Sequence, residues 1–124
     1  MMNYKKYKWG FAFLFIPLIG VLLACKHTAV IPDKPEISFQ ADVQPIIMNN
    51  CATAGCHDGM SEQAELIYYY DIINYVTPSN AKKSDIYQRI TTLKGESKMP
   101  ITGHLSETQI LTIYTWIMQG AKYN

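Results

Sequence analysis

The fold is set by residues 39–57, FQADVQPIIMNNCATAGCH. The first part predicts a helix over about Phe39 to Asn50, because apolar residues recur on one face at i, i+4, i+7 and i+8: Phe39, Val43, Ile46 and Ile47. Pro45 has no backbone N–H to donate, so the regular helix is expected to begin near it or to kink there. The helix leads directly into Cys51 to His57, which carries two thiols and an imidazole.

Three further short helices and little strand are expected downstream. One falls within Glu65 to Tyr75, although its tyrosines and isoleucines also fit a strand, and periodicity does not separate the two. A turn follows at residues 78–80, and the next helix covers Ser84 to Thr92, with Ser84 as its N-cap.

The last helix is the clearest in the sequence. Ser106 followed three residues later by Gln109 is a capping-box pattern. Apolar residues then follow at helical spacing: Ile110, Ile113, Tyr114, Ile117 and Ala121. Gly120 is placed to end this helix or to weaken it. The predicted elements together give a small all-α domain.

Composition narrows the class of protein. A chain of 124 residues provides one domain with little room for a second. It is 48% hydrophobic and 17% charged, which is not the profile of a disordered chain. The net charge is +1, with no Lys/Arg cluster beyond the first eight residues, so no nucleic-acid partner is expected. Three cysteines are too few for a disulfide scaffold.

The N-terminal quarter has the pattern of an export signal. Lys5, Lys6 and Lys8 precede an apolar run from Trp9 to Ala24. An uncleaved transmembrane anchor is the alternative, but the run is shorter than the roughly 20 apolar residues that span a bilayer, and it contains a proline. We therefore predict a signal peptide over residues 1–24, a tether over 25–37 and a globular domain over 38–124. Cleavage changes the net charge from +1 to −2, because it removes three lysines and no acid.

The end of this run, Leu22-Leu23-Ala24-Cys25, resembles the lipobox of bacterial lipoproteins. The resemblance implies that Cys25 is lipidated and becomes the first residue of the mature chain. The protein would then be anchored in the bacterial cell envelope, facing the periplasm or the cell exterior. Pro32 and Pro35 interrupt any regular pattern in the tether that follows.

Three chemistries could use Cys51, Cys56 and His57. In covalent haem attachment, two thiols bond the haem vinyl groups and the next histidine lies beneath the iron. The spacer here has four residues rather than the usual two, so it must bulge, and Gly55 is a natural place for a positive φ. Structural zinc normally needs four ligands, and no second cysteine pair exists. A Cys51–Cys56 disulfide suits the oxidising compartment but gives His57 no role.

A six-coordinate haem needs a second axial ligand, and Met and His are the common choices. Met99 is followed by Pro100 in a loop between Gly95 and Gly103, which restricts its conformation. His104 is the competitor. Met60 is only three residues beyond His57 and is poorly placed to reach the opposite haem face.

Residues 39–121 resemble a small bacterial c-type cytochrome domain. Four motifs occur in the order of that family: DVQPI at 42–46, the Cys/Cys/His motif, KMP at 98–100, and LSETQI with WIMQGA at 105–110 and 116–121. The chain departs from the family pattern in the four-residue spacer and in Ile101, where a second proline is typical.

The resemblance implies a class I cytochrome c-like fold in which the N- and C-terminal helices cross and one haem c lies between them. Cys51 and Cys56 would attach the haem, and His57 and Met99 would ligate its iron. The function implied is that of an electron carrier rather than an enzyme, which passes single electrons between redox partner proteins. Trp116 and Tyr114 are expected to be core residues rather than electron relays.

Two other functions remain open from the sequence. One is a haem-free lipoprotein that serves as a binding or scaffold domain, with the same fold and a Cys51–Cys56 disulfide. The other is an enzyme with an open haem site, in which the sixth position of the iron exchanges ligands.

Overall fold

The computed structural model describes residue 31, residues 34–92 and residues 98–124. The predicted signal peptide, Cys25 and the first part of the tether therefore lie outside the described residues. No helix among those described is long and apolar enough to cross a membrane.

The described chain is helical, and no strand occurs within it. A π-helical turn, Phe39–Val43, runs directly into α1, Gln44–Asn50. Next come α2, Tyr69–Ile72, with a 3₁₀ turn at Ile73–Tyr75, and a second 3₁₀ turn at Ala81–Lys83. The last two helices are α3, Asp85–Thr91, and α4, Glu107–Met118. The predicted all-α class is confirmed, and the segment at 65–75 is a helix rather than a strand.

Pro45 marks the start of regular helix, as expected. The preceding turn is wider, since the amide of Val43 donates to the Ser38 carbonyl five residues back, at 3.2 Å. A proline in the first turn of α1 costs no hydrogen bond, because the first amides of an α-helix have no intrahelical acceptor.

Ser84 occupies the predicted N-cap position of α3, but its hydroxyl does not cap that helix. Instead it accepts from the amide of Thr77 at 2.9 Å and is within donating distance of the carbonyls of Thr77 and Asn80, at 3.2 and 3.0 Å. Ser84 is therefore the N-cap residue of α3, as predicted, but its side chain makes no capping bond. Ser84 joins the preceding turn to α3 in a fully buried position.

The capping box predicted for α4 is confirmed. The Ser106 amide donates to Oε1 of Gln109 at 2.8 Å, and the Gln109 amide donates to Oγ of Ser106 at 3.2 Å. The helix ends where the glycine predicts, because Gly120 follows the C-cap with a φ of +101°, a conformation that costs glycine little.

The first and last helical segments pack against each other. Trp116 on α4 is 1% exposed and lies 5.5 Å from the Phe39 ring, centroid to centroid, which confirms its predicted core role. The chain ends reinforce this packing: the Phe39 amide donates to the Asn124 side chain at 2.8 Å, and the Ile37 amide donates to Gln119 at 2.8 Å.

Candidate functional site

The Cys/His segment begins where α1 ends. The amide of Cys51 donates to the Ile47 carbonyl at 2.8 Å, which makes Cys51 the C-cap of the helix. Its side chain is half-buried and packs against the core, whereas Cys56 is exposed. Both cysteines are free thiols in the structure. One thiol is therefore held by the helix and the other faces solvent.

The four-residue spacer forms a bulge that closes on itself. Within it, the Cys56 amide donates to the Thr53 carbonyl at 2.9 Å. Across its base, the His57 amide donates to the Cys51 carbonyl at 3.1 Å. Gly55 has a φ of +78° with open space around its Cα, so the predicted positive φ is confirmed. The bulge leaves His57 hydrogen-bonded to the residue at the helix end.

The His57 ring has a defined orientation. Its Nδ1 lies 2.5 Å from the carbonyl oxygen of Ala64. Because a carbonyl can only accept, Nδ1 carries the proton in this hydrogen bond. Nε2 then keeps its lone pair and is the atom available to bind a metal. The His57 backbone is also held, since its carbonyl accepts from the amide of the buried Leu66 at 3.1 Å. Histidine ligands of metals typically have their second ring nitrogen hydrogen-bonded in this way.

Asp58 ties together the two ends of the segment around His57. Its Oδ2 accepts from the Gly55 amide at 3.0 Å, and its Oδ1 accepts from the amides of Met60 and Ser61 at 3.0 and 3.2 Å. These backbone donors, Gly55 first, hold the pKa of the Asp58 carboxyl below its ordinary value. Asp58 is not among the site residues predicted from the sequence, although an aspartate directly before a glycine is a turn signal.

The surroundings of the Cys51 thiol make it a weaker acid than an ordinary cysteine. Burial, and to a lesser extent the neighbouring charge of Cys56, raises the pKa of Cys51 to about 11. Cys51 is therefore a neutral thiol at physiological pH.

Met99 lies in a separate loop that is attached to α3. Its amide donates to the carbonyl of Arg89 at 3.1 Å, and the neighbouring Lys98 donates from Nζ to the Gly103 carbonyl at 2.7 Å. The Met99 side chain is half-buried, whereas His104 is exposed. The structure brings Cys51, Cys56 and His57 into one loop and places Met99 in another.

An apolar cleft of about 420 Å³ lies between α3 and α4. Its walls are mainly apolar or aromatic: Tyr87, Glu107, Ile110, Leu111 and Tyr114. The rings of Tyr87 and Tyr114 lie 5.4 Å apart, centroid to centroid, and join the two helices. Ile110 and Tyr114 belong to the predicted apolar face of α4. Leu111 does not, and it is 61% exposed.

Within the described residues, no group of three or more His, Cys, Asp or Glu side chains is arranged to hold a metal ion. Cys51, Cys56 and His57 thus do not surround a common point, as the ligands of a zinc site would. A haem iron makes a different demand, because the porphyrin supplies four nitrogens and the chain supplies only axial ligands.

No protein-family model, curated protein or solved structure matches this chain.

Proposed function

We propose that the protein is a monohaem c-type cytochrome, anchored to a membrane by lipid at Cys25, which transfers single electrons between redox partner proteins outside the cytoplasm. The orientation of His57 is the observation that supports this most. Its Nδ1–H is taken up by the Ala64 carbonyl, so Nε2 is the nitrogen left for iron. This imidazole directly follows an exposed thiol and is hydrogen-bonded through its amide to Cys51.

The donor set of the loop fits haem c. Cys51 and Cys56 would each add S–H across one vinyl group, which forms a C–S bond and places the hydrogen on the neighbouring carbon. This addition needs thiols, and both cysteines are free. When bound, haem c supplies one-electron exchange at its iron.

His57 and Met99 would be the two side chains that hold the iron. The Ala64 carbonyl keeps the His57 ring in the tautomer that ligates through Nε2. Met99 is held through its backbone to Arg89 near the end of α3, the helix whose Tyr87 lines the apolar cleft. A thioether ligand raises the reduction potential relative to histidine and leaves the iron without an open position, which favours electron transfer over catalysis.

The cleft supports the proposal by its chemistry. Its isoleucine, leucine and tyrosine side chains offer an apolar surface against which a flat aromatic cofactor could pack.

The deciding experiment is a pyridine haemochrome spectrum. The full chain would be produced in a bacterial host with haem-attachment machinery, extracted in detergent and denatured before the spectrum is recorded. We expect a c-type spectrum and haem that stays with the polypeptide. Cys25→Ala is the matched control, because it changes the third cysteine and should leave the haem in place, whereas Cys51→Ala with Cys56→Ala should abolish covalent attachment.

A colourless chain would overturn the proposal, provided that a control cytochrome in the same host is loaded. If that chain also carried a Cys51–Cys56 disulfide, the haem-free scaffold function would take its place.

A further inference from the structure

We propose that Asp58 is a positioning residue for haem attachment, and that its carboxylate holds Cys56 and His57 in place at the end of the long spacer. This assignment rests on the function proposed above. It concerns a residue that would touch neither the porphyrin nor the iron and that acts through the backbone of its neighbours.

The Asp58 carboxylate binds backbone amides on both sides of Cys56 and His57. Oδ2 binds the amide of Gly55, which directly precedes Cys56, at 3.0 Å. Oδ1 binds the amides of Met60 and Ser61, which follow His57, at 3.0 and 3.2 Å. The Ser61 hydroxyl in turn donates to the Cys56 carbonyl. The Asp58 carboxylate thus bonds the backbone on both sides of Cys56 and His57, and Ser61 extends this contact to the Cys56 carbonyl.

The long spacer explains why such a residue is needed. Each additional residue between the cysteines adds backbone freedom that is lost when both thiols are fixed to one rigid ring. Residues 53–55 are exposed, and nothing packs against the position where Gly55 would carry a Cβ. The hydrogen bond to Asp58 is therefore the contact that fixes the Gly55 peptide, and with it the direction in which Cys56 leaves the bulge.

The carboxylate is suited to this role because both of its oxygens accept. An asparagine has nearly the same shape, but one of its two atoms is a donor and would face an amide N–H. Asp58→Asn must therefore give up the contacts on one side of His57. Glu62 provides a matched control, since it lies in the same loop, carries the same charge and is exposed.

The test compares the wild type, Asp58→Asn, Asp58→Ala and Glu62→Gln, each as the full chain from a host with haem-attachment machinery. Mass spectrometry would count the chains with two, one or no thioether bonds. We expect the two-thioether fraction to fall about tenfold in Asp58→Asn, which corresponds to the loss of one charge-assisted hydrogen bond. It should fall further in Asp58→Ala, which removes all three bonds, and stay unchanged in Glu62→Gln.

A second readout does not depend on haem. In the haem-free chain, ¹⁵N NMR of the His57 ring reports which nitrogen carries the proton. We expect the Nδ1–H form to dominate in the wild type and in Glu62→Gln, and to lose population in the Asp58 variants. Residue 58 would then affect His57 directly and not only the overall stability.

The outcomes separate this assignment from the function on which it rests. A wild-type chain that takes up no haem overturns the cytochrome function, and the attachment role with it. A wild-type chain with two thioethers, together with Asp58→Asn that matches it in thioether count and in the His57 ring signals, overturns the assignment of Asp58 alone.

Discussion

Replacement of Ser84 tests whether this residue acts as a buried hydrogen-bonding link or as an ordinary helix cap. It is the one buried polar side chain among the described residues, with 0% exposure. Its hydroxyl bonds the Thr77 amide and lies near two carbonyls, so it joins the turn before α3 to the helix that carries Tyr87 and, through Arg89, the Met99 loop.

The cost of the change follows from those bonds. Ser84→Ala leaves the Thr77 amide without its acceptor, and an unpaired group in such a position costs about 1–3 kcal/mol. For a domain of this size each kcal/mol lowers Tm by about 4–8 °C. A loss of about 2 kcal/mol therefore predicts a Tm lower by about 8–16 °C.

Ser84→Asp distinguishes the two roles more sharply. Aspartate is as good an N-cap as serine on an exposed helix. At Ser84, however, a carboxylate would be buried against the carbonyl oxygens of Thr77 and Asn80. An unpaired buried charge costs about 3–5 kcal/mol, so this variant should be less stable than Ser84→Ala.

Ser106 is the internal control, because it caps α4 through its hydroxyl and is exposed. Ser106→Asp should leave Tm nearly unchanged, and Ser106→Ala should cost about 1 kcal/mol. Thermal unfolding followed by far-UV circular dichroism, at one haem content for all variants, gives the comparison. A Ser84→Asp variant as stable as Ser106→Asp would refute the buried-link argument.

Two further predictions concern the site. In the haem-free chain, iodoacetamide should modify Cys56 readily at pH 8, because this side chain is exposed to the reagent. Cys51 should react only as the pH approaches its pKa of about 11, because the thiolate is the reactive form. Equal labelling of both thiols at pH 8 would contradict this prediction. The raised pKa also means that the folded chain binds the Cys51 proton more tightly than the unfolded chain does. The free energy of unfolding should therefore fall as the pH rises from about 9 to about 11. In the haem-loaded chain, Met99→Ala should abolish the low-spin spectrum of a six-coordinate haem, whereas Met60→Ala, at a side chain 93% exposed, should keep it. Survival of the low-spin spectrum in Met99→Ala would exclude Met99 as the ligand and favour His104.

The first and last helices were predictable because their signals are local. The capping box of α4 needs only Ser106 and Gln109, and the start of α1 needs only the missing N–H of Pro45. Ser84 shows where local reasoning ends. Its position before α3 satisfies the N-cap rule, but the fold brings the Thr77 amide to its hydroxyl, and a tertiary hydrogen bond replaces the local one.

The candidate site likewise has a part that the sequence predicts and a part that depends on tertiary structure. The residue types and spacing of Cys51, Cys56 and His57 mark them as a candidate site, so the sequence suffices to select them. The bond from His57 to the Ala64 carbonyl depends on how residues 58–64 return toward the ring, and no pattern in those residues specifies it. The cleft likewise depends on the angle at which α3 meets α4, which is a property of packing rather than of either helix alone.

The geometry of the bulge bears on whether the proposed haem attachment could accommodate a four-residue spacer. Spacer length would matter most if the backbone ran straight from one cysteine to the other, because His57 would then move away from α1 with each added residue. Here the His57 amide returns to the carbonyl of Cys51 at 3.1 Å, and the spacer projects into solvent. That hydrogen bond therefore sets the position of His57 relative to the end of α1. The number of residues in the bulge changes only how much backbone must be kept in one conformation. Asp58 restrains this backbone through its hydrogen bonds to the amides of Gly55, Met60 and Ser61.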